Sequence, residues 1–138
     1  MTKEDIIYAA GFIDGEGCIT TSTGRTFRIT IANTNKDVLD WLQSIFGGHV
    51  NNQHLPKNTK HNIAWKWVIC AGDKLVLFLD LVAPYLRIKK REAMLVRDYL
   101  FNINGRSNRF YTEEQKQEYQ RIKDELRKLK IDKHWNRD

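Results

Sequence analysis

Two stretches of the chain alternate apolar and polar residues with a period of two, and this limits the fold more than any other feature. In Thr26–Ala32, Phe27, Ile29 and Ile31 fall on one side and Thr26, Arg28 and Thr30 on the other. In Asn62–Ile69, Ile63, Trp65, Trp67 and Ile69 fall on one side and Asn62, Ala64 and Lys66 on the other. Successive side chains of a strand point to opposite faces, so each stretch predicts a strand with one buried and one wet face, as in antiparallel sheets. Cys18–Thr23, with a turn at Thr23-Gly24-Arg25, and the weaker His49–Gln53 supply two more strands. The polar stretch His54–His61, which holds Pro56, reads as a loop.

Helical patterns separate the strand pairs. A helix is predicted from Lys3 to about Ile13, running into Gly15-Glu16-Gly17, whose glycines allow backbone conformations other residues resist. Thr34 or Asn35 caps a second helix striped by Val38, Leu42, Ile45 and Phe46, and Gly47-Gly48 stops it. Asp73 caps a very apolar helix through Leu75, Phe78, Leu79 and Val82, ended by Pro84. A basic helix follows from about Ile88 to Asn102, then a loop at Asn104–Asn108. Thr112-Glu113-Glu114-Gln115 matches a capping box and opens a last helix striped by Tyr119, Ile122, Leu126 and Leu129. The order is helix, two strands, helix, two strands, then helices. This is an α+β chain with four antiparallel strands and helices on one face.

The 138 residues have room for one domain, with a core over about 3–103 and a helical extension over about 112–131. No segment approaches the roughly 20 apolar residues a membrane span needs, and Met1–Asp5 is too polar for a secretory signal. Cys18 and Cys70 lie far apart without CxxC spacing, so a reducing, intracellular setting is expected. His49, His54 and His61 with Cys70 fit no familiar zinc spacing. Trp41, Trp65, Trp67 and Trp135 read as core or surface anchors.

The net charge of +6 is unevenly spread. Met1–Leu86 holds 8 Lys/Arg against 8 Asp/Glu, and Arg87–Asp138 holds 15 against 9. Gly17–Asn35 and Gly47–Gly72 carry basic residues and no acid. Segregation of this kind suits a polyanion. Asp14-Gly15-Glu16-Gly17 instead forms an acidic tip after the first helix. Carboxylates at the negative end of a helix dipole cost about 0.3–1 kcal/mol each. A hard divalent ion held by carboxylate and carbonyl oxygens would offset that cost.

Residues 9–17, Ala-Ala-Gly-Phe-Ile-Asp-Gly-Glu-Gly, resemble the signature motif of the LAGLIDADG homing endonucleases. The departures are Ala9 and Phe12 for Leu, Gly15 for Ala and Glu16 for Asp; both acids, Gly11, Gly17 and the apolar spacing remain. Pro84–Ala93 resembles the segment that carries this family's active-site lysine, and the element order of residues 3–102 fits its α-β-β-α-β-β-α core with a saddle-like sheet.

The resemblance implies a homodimer of single-motif chains, with Ala10, Gly11 and Ile13 at the seam and Asp14 bracing the paired helix ends. It implies that Glu16, assisted by the Gly15 carbonyl, holds Mg²⁺ at each scissile phosphate, with Mn²⁺ or Ca²⁺ able to occupy the same site, Ca²⁺ without cleavage. Lys89 would be the basic catalytic residue, and Asn33 would order solvent. The implied activity is cleavage of both strands of a long pseudo-palindromic DNA duplex across the minor groove, by an intron-encoded enzyme. A non-cleaving regulator, or a maturase that holds intron RNA, are the alternatives on the same fold.

If the apolar side of the sheet meets the helices, Thr20, Ser22, Arg28, Thr30, Asn51, Gln53 and Lys66 face outward together, without an acid. A sheet can enter the major groove, where Arg pairs with guanine and Asn or Gln with adenine. Arg25, Lys57 and Lys60 in loops, with Lys90, Arg91 and Arg97 on the basic helix, are expected on phosphates, which position without specifying.

Overall fold

The computed structural model describes residues 1–22, 26–52, 64–70, 72–103 and 112–135. Helix α1, Lys3–Glu16, begins with a reciprocal cap. The Asp5 amide donates to Thr2 Oγ1 at 3.1 Å, and the Thr2 amide donates to the Asp5 carboxylate at 3.0 Å. Ala9, Ala10 and Ile13 are fully covered by the chain itself. The helix runs to Glu16, further than its apolar pattern predicts. Gly17 ends it in an extended conformation, φ −83°, so this glycine is there for room and not for backbone freedom. A Cβ at Gly17 would sit 2.8 Å from the Ile13 carbonyl oxygen.

Strands β1 (Gly17–Ser22), β2 (Thr26–Asn33), β3 (His49–Asn52) and β4 (Trp65–Cys70) form one antiparallel sheet in the order β1-β2-β4-β3. The register pairs Ile19 with Ile29 and Ile29 with Ile69, and pairs Ile31 with Trp67. One face therefore carries Ile19, Phe27, Ile29, Ile31, Trp67 and Ile69, all at most 1% exposed. Burying each such side chain contributes about 1.5–3 kcal/mol.

Helix α2 (Lys36–Phe46) and helix α3 (Asp73–Val82) cover that face, sending in Leu39 and Leu42, and Leu75, Phe78, Leu79 and Val82. Asn35 caps α2, its side chain accepting from the Val38 amide at 3.2 Å. The cap of α3 is Gly72, at φ 106°, with Asp73 inside the helix, so the expected Asp73 cap is corrected. A single 3₁₀ turn, Ala83–Tyr85, leads to helix α4 (Lys90–Asn102). Helix α5 (Glu113–Trp135) lays Tyr119, Ile122 and Leu126 on the core, and the Tyr119 ring meets Phe27 at 5.4 Å between centroids. None of the helices, over the described residues, is long and apolar enough to cross a membrane.

The turn between α2 and β3 is held by the core. Gly47 and Gly48 both have positive φ, 82° and 84°, and the Trp67 indole N–H donates to the Gly47 carbonyl at 2.8 Å. A Cβ at Gly48 would lie 2.5 Å from the Val68 carbonyl oxygen and 2.9 Å from Trp67 Nε1. Gly48→Ala is therefore expected to lose about 2 kcal/mol or more, combining backbone strain with displacement of a central strand. Urea unfolding checks this, and a loss under about 0.5 kcal/mol, the size of an ordinary surface substitution, would refute it.

Candidate functional site

The end of α1 meets the entry to α4. The Asp14 carboxylate accepts three backbone amides: Arg87 at 2.7 Å, Ile88 at 3.2 Å and Lys89 at 3.0 Å. The same amides explain why α4 begins at Lys90 and not at Ile88, because Lys89 is its cap and the residues before it are bent toward Asp14. Lys89 Nζ turns back to donate to the Asp14 carbonyl at 2.7 Å, placing an ammonium on the negative end of α1. Asp14 thus braces its own chain's helix junction.

Glu16 is the last residue of α1 and is exposed. Its carboxylate has no hydrogen bond or ion pair among the described residues, in contrast to Asp14 two positions earlier. The Gly15 carbonyl belongs to the last turn, where carbonyls have no intrahelical donor. Among the described residues, no three or more His, Cys, Asp or Glu converge as a metal cluster. Among the described residues, the end of α1 offers the Glu16 carboxylate and the Gly15 carbonyl as oxygen donors. An all-oxygen set of that size suits a hard cation completed by further oxygens from outside the chain.

Three expected site residues serve the chain's own fold. Ala10 and Ile13 were expected at a seam between two copies, but both are fully buried within the chain and unavailable to a second one. Their apolar spacing serves the chain's own core. The open side of α1 carries Ile7 and Gly11, with Gly15 near its end. A Cβ at Gly11 or Gly15 would meet no atom within 4 Å. Asn33 ends β2 in phase with the inner face, and its side chain accepts from the Asn35 amide at 2.8 Å. It braces the turn into α2, with no hydrogen bond to Glu16 or Lys89 among the described residues.

The other sheet face is polar. Register rows place Thr20, Arg28 and Cys70 together, then Cys18, Thr30, Val68 and His49, then Ala32, Lys66 and Asn51. Ser22 pairs with Thr26. Asn51 is exposed and Arg28 and Lys66 are half-buried, while Thr30, on the central strand, is 9% exposed. Arg28 Nε and Thr26 Oγ1 are covered and have no hydrogen-bond partner among the described residues. His49 shares this face but is not placed on it by the sequence reading, although the period-two phase of Asn51 finds it. Arg25, Gln53, Lys57 and Lys60 lie outside the described residues.

Lys90 and Arg91 are exposed in the first turn of α4, where cations oppose the helix dipole. Neither forms an ion pair among the described residues. Arg97, expected on phosphate, is instead held by Asp80 at 2.6 Å and Asp98 at 3.2 Å and lies 4.6 Å from the Phe101 ring centre. Hydrogen bonds to Asp80 and then Asp98 raise its pKa further, so this cation is already engaged.

An antiparallel sheet with helices on one face, an acid-free polar face on the other, and an open carboxylate at the end of the first helix define an α+β scaffold of the kind that docks on a polyanion. The chain belongs to the LAGLIDADG-like domain family, whose model matches residues 5–83. Lys89 and both final helices lie beyond the matched residues. The fold is similar to that of the homing endonuclease I-CvuI, solved in complex with the I-CreI target in the presence of Mg with the DNA not cleaved. That likeness has 21% identity and a TM-score of 0.73, covering 92% of this chain and 82% of that one. The archaeal intron-encoded homing endonuclease I-Vdi141I, complexed with DNA, is similar at 20% identity and a TM-score of 0.72, covering 91% of this chain and 84% of that one. No curated protein matches the chain significantly.

The Asp14 junction sets a stability expectation. Hydrogen bonds to a charged group contribute about 1.5–3 kcal/mol, so Asp14→Ala, which strands three amides, should lose about 2–3 kcal/mol. Asp14→Asn, which keeps an acceptor, should lose less. Chemical denaturation of the three proteins checks the order, and equal stability of Asp14→Ala and wild type would overturn it.

Proposed function

We propose that the chain is a site-specific DNA endonuclease that hydrolyses phosphodiesters as a homodimer with a divalent ion. The observation that carries this reading is the contrast at the end of α1. Glu16 is open, while the carboxylate of Asp14, two residues earlier, is taken up by the amides of Arg87, Ile88 and Lys89, and the Asp14 carbonyl holds the Lys89 ammonium. An unspent carboxylate beside an anchored cation, next to an acid-free sheet face, is a site awaiting phosphate. The solved homing endonucleases of this fold, bound to their DNA targets with calcium or magnesium, support it.

Glu16 and the Gly15 carbonyl would hold the ion, Mg²⁺ by preference, which when bound supplies charge to the scissile phosphate and a more acidic water. Lys89 then faces charge that develops on phosphate oxygens, pre-set by its bond to Asp14 and needing no reorganisation. One Glu16 serves one strand, so cutting a duplex calls for two chains. The open face of α1 at Ile7, Gly11 and Gly15 lets a second helix approach, in place of the buried Ala10 and Ile13. Asn33 acts at one remove in this reading, by shaping the turn after β2. The outer residues Thr20, Ser22, Arg28, Thr30, Asn51 and Lys66 read bases, joined by Gln53, and Lys90 and Arg91 meet phosphates with Arg25, Lys57 and Lys60. The setting is an intracellular genome, with the gene carried by an intron.

A plasmid-library assay with Mg²⁺ tests the reading. Wild type should cut at a defined site, and Glu16→Gln should cut about a hundredfold more slowly or worse while binding is kept. Binding without cutting by wild type would make the chain a regulator, and selective binding of intron RNA would make it a maturase. Arg28→Ala should relax preference at one symmetric pair of positions, by about 1–3 kcal/mol per lost base contact. A uniform loss over all sequences would reduce Arg28 to a phosphate contact.

A further inference from the structure

Helix α5 has a second ordered surface besides its core stripe. Lys116, Gln120, Lys123, Arg127 and Lys130 recur at alternating spacings of four and three residues, so they line up along one side of the helix. No acid interrupts this line. Glu118 and Glu125 lie on the other flank of the core stripe, where both pair with Arg121, while Glu113 and Asp124 lie beside the row, against Lys116 and Gln120. Like charges at such spacings repel and weaken a helix, so the fold alone gives no reason for the row.

The row is turned toward β1. Lys116, Gln120 and Lys123 line an open groove with Thr21 of that strand, and Glu113 stands at its end beside Lys116. Lys130 Nζ donates to the Ile19 carbonyl and lies 3.9 Å from Cys18 Sγ. Cys18 is in register with Thr30, so it belongs to the outer face. The row therefore follows an edge strand of the sheet, and its far end reaches round that edge to the polar face. Lys130 alone accounts for guarding the edge strand. Lys123 and Arg127 form no ion pair among the described residues, and Lys116 has Glu113 at 3.3 Å.

We propose that this row is a second phosphate-contact surface, which lies along the backbone of the same DNA duplex whose bases meet the sheet's outer face. The inference rests on the reading of that face as the DNA-binding one. From Lys116 to Lys130 the helix rises about 21 Å, and each DNA strand presents a phosphate about every 3.4 Å of axis, so Lys116, Lys123 and Arg127 can each meet a different one. These contacts are independent of sequence. They widen the footprint beyond the sheet and strengthen binding without sharpening specificity.

The test compares the full chain with Lys116→Gln/Lys123→Gln/Arg127→Gln, leaving Lys130 in place as a brace for β1. Binding to a mixed-sequence DNA duplex is measured across a salt series, alongside a structured RNA and a sequence-selection experiment. The slope of log affinity against log salt should become shallower by about 2–3 per protomer, at about 0.9 for each lost contact. The selected sequence preference and the melting temperature should stay the same. An unchanged slope with wild-type binding intact would overturn this inference alone, as would relaxed sequence preference or a loss confined to RNA. Failure of the wild type to bind any duplex would overturn the reading of the sheet face as well.

Discussion

A carboxylate at the carboxyl end of a helix sits against the negative pole of the dipole, and Asp14 occupies that position. It is stable there because the same carboxylate lies at the entry to α4, where three amides point at it without partners from their own helix. One side chain therefore satisfies the start of a second helix, 73 residues away in sequence at its nearest partner. It also ties the end of α1 to the entry of α4, and so places Lys89 beside the last turn of α1. Everything proposed for the site depends on that junction.

The two acids of the motif are divided by environment and not by chemistry. Asp14 is short and half-buried, and its hydrogen bonds occupy both oxygens. Glu16 is one methylene longer and stands exposed at the last helical residue. The longer side chain at position 16 reaches out from a helix end that is itself held rigid by its neighbour. In the proposed reading Glu16 is left open for an outside ligand, while Asp14 secures the junction.

Much of the architecture is legible in the chain because it depends on local periodicity. Phe27, Ile29 and Ile31, and Trp65, Trp67 and Ile69, declare their strands and the sheet's two faces without reference to anything distant. The helix order follows in the same way. What periodicity does not show is which partner a polar or apolar side chain takes. Arg97 reads as a free cation until Asp80, on the preceding helix, is seen to take it at 2.6 Å. Asn33 reads as a solvent-facing polar residue until its side chain is found in the following turn. Ala10 and Ile13 show a further limit. An apolar position on a motif helix looks the same in sequence whether it faces its own core or a second copy, and only the placement of α3 and the sheet decides.

The outer face shows how a sheet can be made ready for a partner without giving up stability. Its central strand carries Thr26 and Thr30, small enough to be nearly covered by neighbouring strands. Arg28, between them in the same phase, is long enough to reach beyond, and its Nε is left without a partner among the described residues. Burying an unpaired donor of a charged group costs more than burying a neutral one. That cost is incurred at the middle of the sheet, flanked by β1 and β4, where backbone pairing on both sides holds the strand firmly enough to bear it. Under the proposed DNA-binding reading, Arg28 would meet a base through the outer nitrogens of its guanidinium, since its Nε is covered, and a side chain already packed between two strands loses less entropy on binding.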